Sequence, residues 1–363
     1  MIGPFIWFAI GLVLLIGGAE LLVRYVSRLA LLLGIPKLVI GLTVVAFGTS
    51  APELAVSIQA GINGETDLML GNIVGSNISN TLFILGIASL FIPLKVHKNL
   101  IKKDVPIMLG ITLSVYVFAL SGNITFWECL ALTGMLIGYL LFLSRQRGSV
   151  SADIPDEKDE EQDGILKPSL FSLLGLVMLV VGARWMVQSA LEIAVIAGVS
   201  ELVIGLSVVA IGTSLPEVVV TLVAAVKGER DIAAGGVVGS NILNLAAVLG
   251  LSGLFAHGSI PVQDSLITFD LPVLIAVSIL CFPIFYTGHK IIRWEGAMFL
   301  FFYLSYLVYL FLNASEHPLL NIFVLIMLFF VIPLAVLTVL TVAVTEWIRR
   351  MKYAGIFKSD KKN

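Results

Sequence analysis

The chain has 363 residues, of which 58% are hydrophobic and only 13% charged, with a formal net charge of −2. Soluble domains average about 25% charged residues, and the polar groups present here are too few to cover a water-exposed surface. The composition excludes an ordinary soluble enzyme, a disordered chain and a nucleic-acid binder. It points to a protein solvated mainly by lipid.

A helix crossing a bilayer needs about 20 mostly apolar residues. Eleven stretches qualify: 5–31, 38–60, 69–92, 104–121, 125–144, 168–194, 202–226, 232–256, 266–287, 294–313 and 319–348. The first carries Glu20 and Arg24 and has no basic leader, so it reads as a retained span rather than a cleavable signal. Glu20 has two candidate partners, Arg24 four residues on and, across the 164-residue offset, Arg184; a local pair or snorkelling is favoured over the cross-repeat pair. Cys129 and Cys281 lie within apolar runs, and no disulfide framework is implied.

Every second connecting loop is basic. Arg28 and Lys37 mark the first; Lys95, Lys98, Lys102 and Lys103 the next; then come Arg145 and Lys167, Lys227 and Arg230, Lys290 and Arg293, and the tail from Arg349. The intervening loops contain no Lys or Arg. By the positive-inside rule the N-terminus is outside and the C-terminus cytoplasmic, as an odd number of spans requires. Residues 151–164, SADIPDEKDEEQDG, form a short acidic connector expected to be solvated on the cytoplasmic side.

The chain also repeats itself. Residues 41–53, ending in Gly-Thr-Ser-Ala-Pro-Glu, recur as 205–217, and Gly75-Ser-Asn-Ile-Ser-Asn80 recurs as Gly239-Ser-Asn-Ile-Leu-Asn244. Both pairs are offset by 164 residues, Glu53 to Glu217 and Asn80 to Asn244. Five spans per copy make the second copy enter the membrane from the opposite face. The expected fold is an all-α polytopic membrane protein with two inverted-topology repeats of five transmembrane helices and an eleventh C-terminal helix. Its divisions are a first repeat (1–144), an acidic linker (145–167), an inverted second repeat (168–313), an additional helix (314–348) and a basic tail (349–363). Inverted repeats place a substrate site near the bilayer midplane, between the halves.

Glu53 and Glu217 are carboxylates within apolar spans, where an ionisable group is costly unless compensated. Ala46, Thr49, Ser50 and Glu53 share one helical face, as do Ala210, Thr213, Ser214 and Glu217. Asn72, Ser76 and Asn80 form a second polar stripe, matched by Gly236, Ser240 and Asn244. Pro52 and Pro216 lack an N–H and should break their helices, freeing carbonyls that are tolerable only when lining a cavity. Carboxylates, hydroxyls, carboxamides and carbonyls form an oxygen-only set, which suits Ca²⁺ or Na⁺. Gly71, Gly75, Gly235 and Gly239 would let helices close on that set. Asn77 and Asn241 point off the stripe and read as interhelical packing groups. No phosphate-binding loop and no catalytic triad occur, so neither nucleotide, organic cofactor nor enzymatic activity is expected.

The Gly-Thr-Ser-x-Pro-Glu and Gly-Ser-Asn-x-x-Asn motifs resemble the α-repeats of the cation/calcium exchanger superfamily, in particular prokaryotic sodium/calcium exchangers. The resemblance covers residues 1–313. It implies that Glu53 and Glu217 are shared ligands of Ca²⁺ and Na⁺, with backbone carbonyls of Thr49 and Thr213 serving Ca²⁺. It also implies flanking Na⁺ sites formed by Ser50, Ser76, Ser214 and Ser240 with the Ala46 and Ala210 carbonyls, while Asn80 and Asn244 line the centre. The implied mechanism is alternating access, in which the first and sixth spans slide against the remaining bundle in a prokaryotic cell membrane. Similar exchangers often carry an aspartate where this chain has Asn244, which speaks against K⁺ co-transport. The substitution leaves a central charge of −2, which one Ca²⁺ balances and three Na⁺ would exceed. The rival readings are a H⁺-coupled Ca²⁺ or other divalent cation exchanger of the same fold, a channel, and a non-transporting Ca²⁺ sensor.

Overall fold

The computed structural model describes residues 3–145, 164–196, 212–256 and 258–353. Ala210, the upstream part of the second Gly-Thr-Ser motif, most of the acidic linker and the end of the basic tail lie outside them. The described chain is almost wholly helical, as lipid demands, because a helix satisfies its backbone hydrogen bonds within the segment. Eight described helices are long and apolar enough to cross a membrane, or nine if one bent pair counts as a single span.

The first long helix, α1 (Gly3–Leu32), runs antiparallel to α7 (Leu166–Ile196) along a glycine seam. A Cβ on Gly18 would lie 2.8 Å from the Gly175 carbonyl oxygen, and one on Gly175 would lie 2.8 Å from the Gly18 oxygen. Gly11 and Gly182 form the same reciprocal pair at 2.8 and 2.7 Å. Without side chains at these positions the backbones touch, which is how apolar helices gain packing energy where no hydrophobic effect separates them from lipid. Trp7 against Trp185 and Tyr25 against Phe171 close the two ends of the seam, with ring centroids 4.8 and 4.7 Å apart.

After α1 the chain forms a broken helix. α2 (Lys37–Thr49) and α3 (Ala51–Asn63) meet at a 49° bend. Pro52 sits in the first turn of α3, where its missing N–H costs nothing, and Ser50 occupies the hinge at φ −83°, ψ 6°. The duplicated segment behaves alike: Pro216 lies in the first turn of α8 (Leu215–Val226), after Ser214 at φ −86°, ψ 5°. The expected break is present at Pro52; at Pro216 α8 starts anew after Ser214, and the segment before Gly212 lies outside the described residues.

Two central helices follow these breaks, α4 (Thr66–Phe91) and α9 (Arg230–Phe255). Both widen into a π-helical turn at the second asparagine of the motif, Asn80–Ile84 in α4 and Asn244–Val248 in α9. The apolar length of α9 is 100% buried inside the molecule, against 6% for α12 (Leu320–Arg349), so α9 is the axis and α12 lies at the rim. Between them stand α5 (Val105–Ala119), α6 (Phe126–Ser144), α10 (Leu266–Tyr286) and α11 (Arg293–Ala314). The start of α6 is fixed by a capping box in which the Glu128 carboxylate accepts from the Thr125 N–H at 2.7 Å.

Contacts cross between the halves at every level. The Gly86 region of α4 packs on Gly296 of α11, and Gly250 of α9 packs on Thr133 of α6. Gly239 of α9 admits α2, since an added Cβ would fall 2.7 Å from Leu42 Cα. Gly71 and Gly75 have no described atom within 4 Å of an added Cβ. The segment expected to close on them, around 202–210, lies outside the described residues. Two short antiparallel pairs join loops: β1 (Leu94–Lys95) with β4 (Lys290–Ile291), and β2 (Asn123–Ile124) with β3 (Ile260–Pro261). Ion pairs do the same. Lys37 Nζ is bidentate to Glu229 at 2.8 and 2.9 Å, and Lys227 Nζ reaches Glu20 at 3.4 Å. The partner found for Glu20 is thus Lys227, where the sequence offered Arg24 and Arg184.

The seam yields a prediction. Gly182→Val inserts side-chain atoms where a Cβ alone meets backbone, and should destabilise the fold by about 1–3 kcal/mol through overpacking. Gly134→Ala, where no atom lies within 4 Å, should be neutral. Thermal unfolding of the two purified variants checks this; equal midpoints would refute a tight α1–α7 seam.

Candidate cation site

Glu53 and Glu217 each occupy the first turn of a helix that begins at a break. The helix N-terminus carries partial positive charge, so backbone placement alone favours a carboxylate there. Both are buried, with 1% and 3% of their surface exposed, and their charges lie within each other's field. The breaks point the two helix starts toward one region between α4 and α9.

The hydrogen-bond pattern there is uneven. Ser50 Oγ donates to Glu217 Oε1 at 3.1 Å, a bond from the first half to the second. Thr49 Oγ1 stands 3.5 Å from Ser240 Oγ, again between halves, and 3.3 Å from the Ala46 carbonyl oxygen. That same carbonyl accepts from the Ser50 N–H at 3.0 Å. Against these stand the orphans. Among the described residues, both carboxylate oxygens of Glu53, Oε2 of Glu217, Oγ of Ser214 and the side-chain amides of Asn80 and Asn244 are buried without a hydrogen-bond partner.

Buried polar groups are ordinarily paired, because an unpaired one costs about 1–3 kcal/mol and a charged one more. Six orphaned oxygens on the duplicated motifs therefore require an explanation. Packing places them suitably for one. The π-helical turn beginning at Asn244 packs on α3, which carries Glu53, and the turn beginning at Asn80 packs on α8, which carries Glu217. Each half thus presents its amide to the other half's carboxylate helix. Hard oxygens from carboxylate, carboxamide and hydroxyl are the donors that Ca²⁺ and Na⁺ prefer, and Ca²⁺ takes about six to eight of them. Among the described residues no group of three or more His, Cys, Asp or Glu comes together. A soft or tightly held transition metal is poorly served by such a set.

Most of the residues singled out by sequence lie on these elements and are buried: Thr49, Ser50, Ser76, Asn80, Ser214, Ser240 and Asn244 beside the glutamates. Thr213 is half-buried in the turn before α8, and Ala210 lies outside the described residues. One contributor is missing from the expected set. Asn72 Nδ2 donates to Ser57 Oγ at 3.0 Å and to the Glu53 carbonyl at 3.4 Å, fixing α3 against α4. The signal was visible as Asn72 in the polar stripe, at a position where the second copy has Gly236. Asn241 donates across the halves to Thr81 Oγ1 at 2.7 Å, and Asn77 donates within its own helix to the Ile73 carbonyl at 2.7 Å. Interhelical packing fits Asn241; Asn77 bonds locally instead.

Comparison with known proteins agrees with this chemistry. The family model described as "Sodium/calcium exchanger protein" matches residues 3–145 and 167–312. The sodium/calcium exchanger MaX1 of Methanosarcina acetivorans is 36% identical over 346 residues, covering 85% of this chain and 98% of its own. The inner membrane protein YrbG of Escherichia coli is 37% identical over 280 residues, 75% of this chain and 85% of its own. The structure of the sodium-calcium exchanger NCX_Mj soaked with 10 mM Na⁺ and zero Ca²⁺ superposes with a TM-score of 0.72 at 31% identity, covering 83% of this chain and 96% of that one. The model match spans both copies of the motif and the relatives are covered nearly end to end: the chain belongs to the sodium/calcium exchanger protein family.

Proposed function

We propose that this chain is a secondary-active antiporter that exchanges Na⁺ for Ca²⁺ by alternating access, with Glu53 and Glu217 as the shared ligands. The observation that carries the proposal is the pair of buried glutamates at helix breaks, with oxygens left unpartnered among the motif side chains. A cation held there offsets the desolvation of both carboxylates, and the same oxygens cannot hold Ca²⁺ and Na⁺ together. Competition for one site is what couples the two fluxes. Thr49 and Thr213 supply carbonyls to Ca²⁺. Ser50, Ser76, Ser214, Ser240, Ala46 and Ala210 serve Na⁺, and Asn80 and Asn244 line the centre.

Eleven spans in two inverted five-helix halves plus α12, with the N-terminus outside, fit several observations. The antiparallel α1–α7 seam is what inverted copies produce. Loop contacts sort by charge: β1 with β4 and Lys37 with Glu229 join basic loops, while β2 with β3 and Gln263 with Asp67 (2.7 Å) join loops without Lys or Arg. In a prokaryotic cell membrane this orientation puts the Lys37–Glu229 contact on the cytoplasmic side.

The site carries two formal negative charges, since position 244 is an amide. One Ca²⁺ balances them, as would two Na⁺ or two H⁺. Charge balance thus favours two monovalent ions per Ca²⁺ over three, and it keeps H⁺ as a competing counter-ion.

Proteoliposomes loaded with Na⁺ and diluted into Na⁺-free medium should accumulate radioactive Ca²⁺. A pH gradient that drives uptake while a Na⁺ gradient does not would replace Na⁺ by H⁺ as the coupling ion. Glu53→Gln and Glu217→Gln should each lower uptake about 30-fold or more, the scale of losing one partner of a buried charge contact. Ser50→Ala removes one hydrogen bond to a charged group and should cost about tenfold. Undiminished flux in both glutamine variants would overturn the site.

A further inference from the structure

A polar cleft lies outside the candidate cation site, and none of the site residues lines it. The cleft, of about 700 Å³, opens beside the β1–β4 pair and is lined by Lys95, His97, Lys98, His289, Lys290 and Asp231. We propose that this cleft is a binding site for a phosphate-bearing anion, shared between the two halves of the molecule.

Its lining carries three lysines against one carboxylate. None of the three lysines has an ion-pair partner among the described residues, although the neighbouring Lys37 and Lys227 are both paired. Asp231 is half-buried and faces His97, Glu229 and Lys37, and Lys290 also lies in the field of Glu295, so the lining itself sets one carboxylate against three lysines. The His97 ring accepts the Asn99 N–H at Nδ1, 3.1 Å away, which leaves Nε2 as a donor. The cleft therefore offers several donors and a single lining carboxylate, Asp231.

The backbone is shaped around it. Gly288 and His289 have successive positive φ values of 64° and 53°, and the Lys290 N–H closes the turn on the Thr287 carbonyl at 3.4 Å. A histidine in the left-handed region is uncommon, and such residues concentrate where ligands are held. The turn is locked to the other half by the Val96 N–H donating to the His289 carbonyl at 2.8 Å. An anion in the cleft thus touches residues 95–98 from one half and 288–290 from the other, with the first turn of α9 beneath it. General surface basicity would place lysines on this face but would not gather unpaired ones into a concavity.

The ligand is a headgroup-sized phosphate compound. Basic pockets at the cytoplasmic boundary of membrane proteins take anionic lipid headgroups, and a soluble pyrophosphate presents the same chemistry. The full-length chain, purified in detergent, is presented with phosphatidylglycerol and analysed by native mass spectrometry, and with inorganic pyrophosphate and analysed by calorimetry. Neither readout depends on cation exchange. Each of Lys95→Gln, Lys98→Gln and Lys290→Gln should weaken retention of the bound anion by about fivefold, the value of one basic residue near an anionic surface. Arg145→Gln, a basic residue outside the cleft, should not. Retention of phosphatidylglycerol alone identifies a lipid site, and retention of pyrophosphate identifies a soluble ligand; either supports the cleft. Retention of neither anion, equal retention by wild type and all three lysine variants, or equal loss with Arg145→Gln overturns the proposal. Lys98→Arg keeps the assay interpretable if glutamine variants unfold, because it should restore binding.

Discussion

The constraint on which this molecule turns is the cost of holding two carboxylates inside a membrane protein core. Glu53 and Glu217 are almost fully buried, and among the described residues Ser50 donates a side-chain hydrogen bond to Glu217 while neither Glu53 oxygen is paired. Isolated buried charges are among the most destabilising features a protein can carry. Much of the local architecture reduces that cost. Each glutamate begins a new helix just after a break, where unpaired N–H groups and the helix dipole favour negative charge. The prolines that make the breaks also sit where they do least harm, in the first turn of the new helix. In the proposed antiporter, what remains uncompensated is what a bound cation would offset.

The two copies of the motif are equivalent in backbone and unequal in bonding. Ser50 and Ser214 have nearly the same φ and ψ, yet Ser50 reaches Glu217 while Ser214 has no partner among the described residues. Asn72 anchors Ser57 and the Glu53 carbonyl, and the corresponding Gly236 can do neither. The proposed antiport needs a site that can be approached from both faces, and the inverted repeat expected from the sequence would supply two such approaches from one design. Departures from equivalence let the two approaches differ in energy. Here one approach has an extra cross-half bond, and the ion pairs Lys37–Glu229 and Lys227–Glu20 tie α1 and α2 to the turn before α9. The glycine seam joins α1 to α7, and both helices also pack on the broken segments: Leu176 of α7 meets Gly48, and Val187 of α7 meets Gly212.

The sequence made the chemistry legible and left the fine geometry hidden. Glutamate after proline inside an apolar run, twice at a fixed offset, has few physical explanations, and the break at Pro52 and the helix start at Pro216 occur where the prolines predict. Charge alternation among loops anticipates which loops meet. The π-helical turns at Asn80 and Asn244 were not legible, because widening one turn leaves apolar periodicity nearly unchanged over so short a segment. The Asp104–Tyr139 and Asp270–Tyr306 hydrogen bonds, at 3.2 and 2.8 Å, were equally hidden. Side chains so far apart in sequence cannot be paired without the fold. Glu20 illustrates the same limit: Arg24 and Arg184 were near in pattern, and Lys227 is near in space.

Competition at one oxygen site is the central claim, and equilibrium binding tests it without requiring transport. Ca²⁺ affinity of the purified chain is measured by calorimetry across a series of Na⁺ concentrations, with K⁺ replacing Na⁺ to hold ionic strength constant. If Glu53 and Glu217 serve both ions, apparent Ca²⁺ affinity should fall steadily as Na⁺ rises. Two Na⁺ replacing one Ca²⁺ would make that fall about a hundredfold per tenfold rise in Na⁺ at saturation, by mass action. Ca²⁺ affinity that stays unchanged across the Na⁺ series would contradict a shared site.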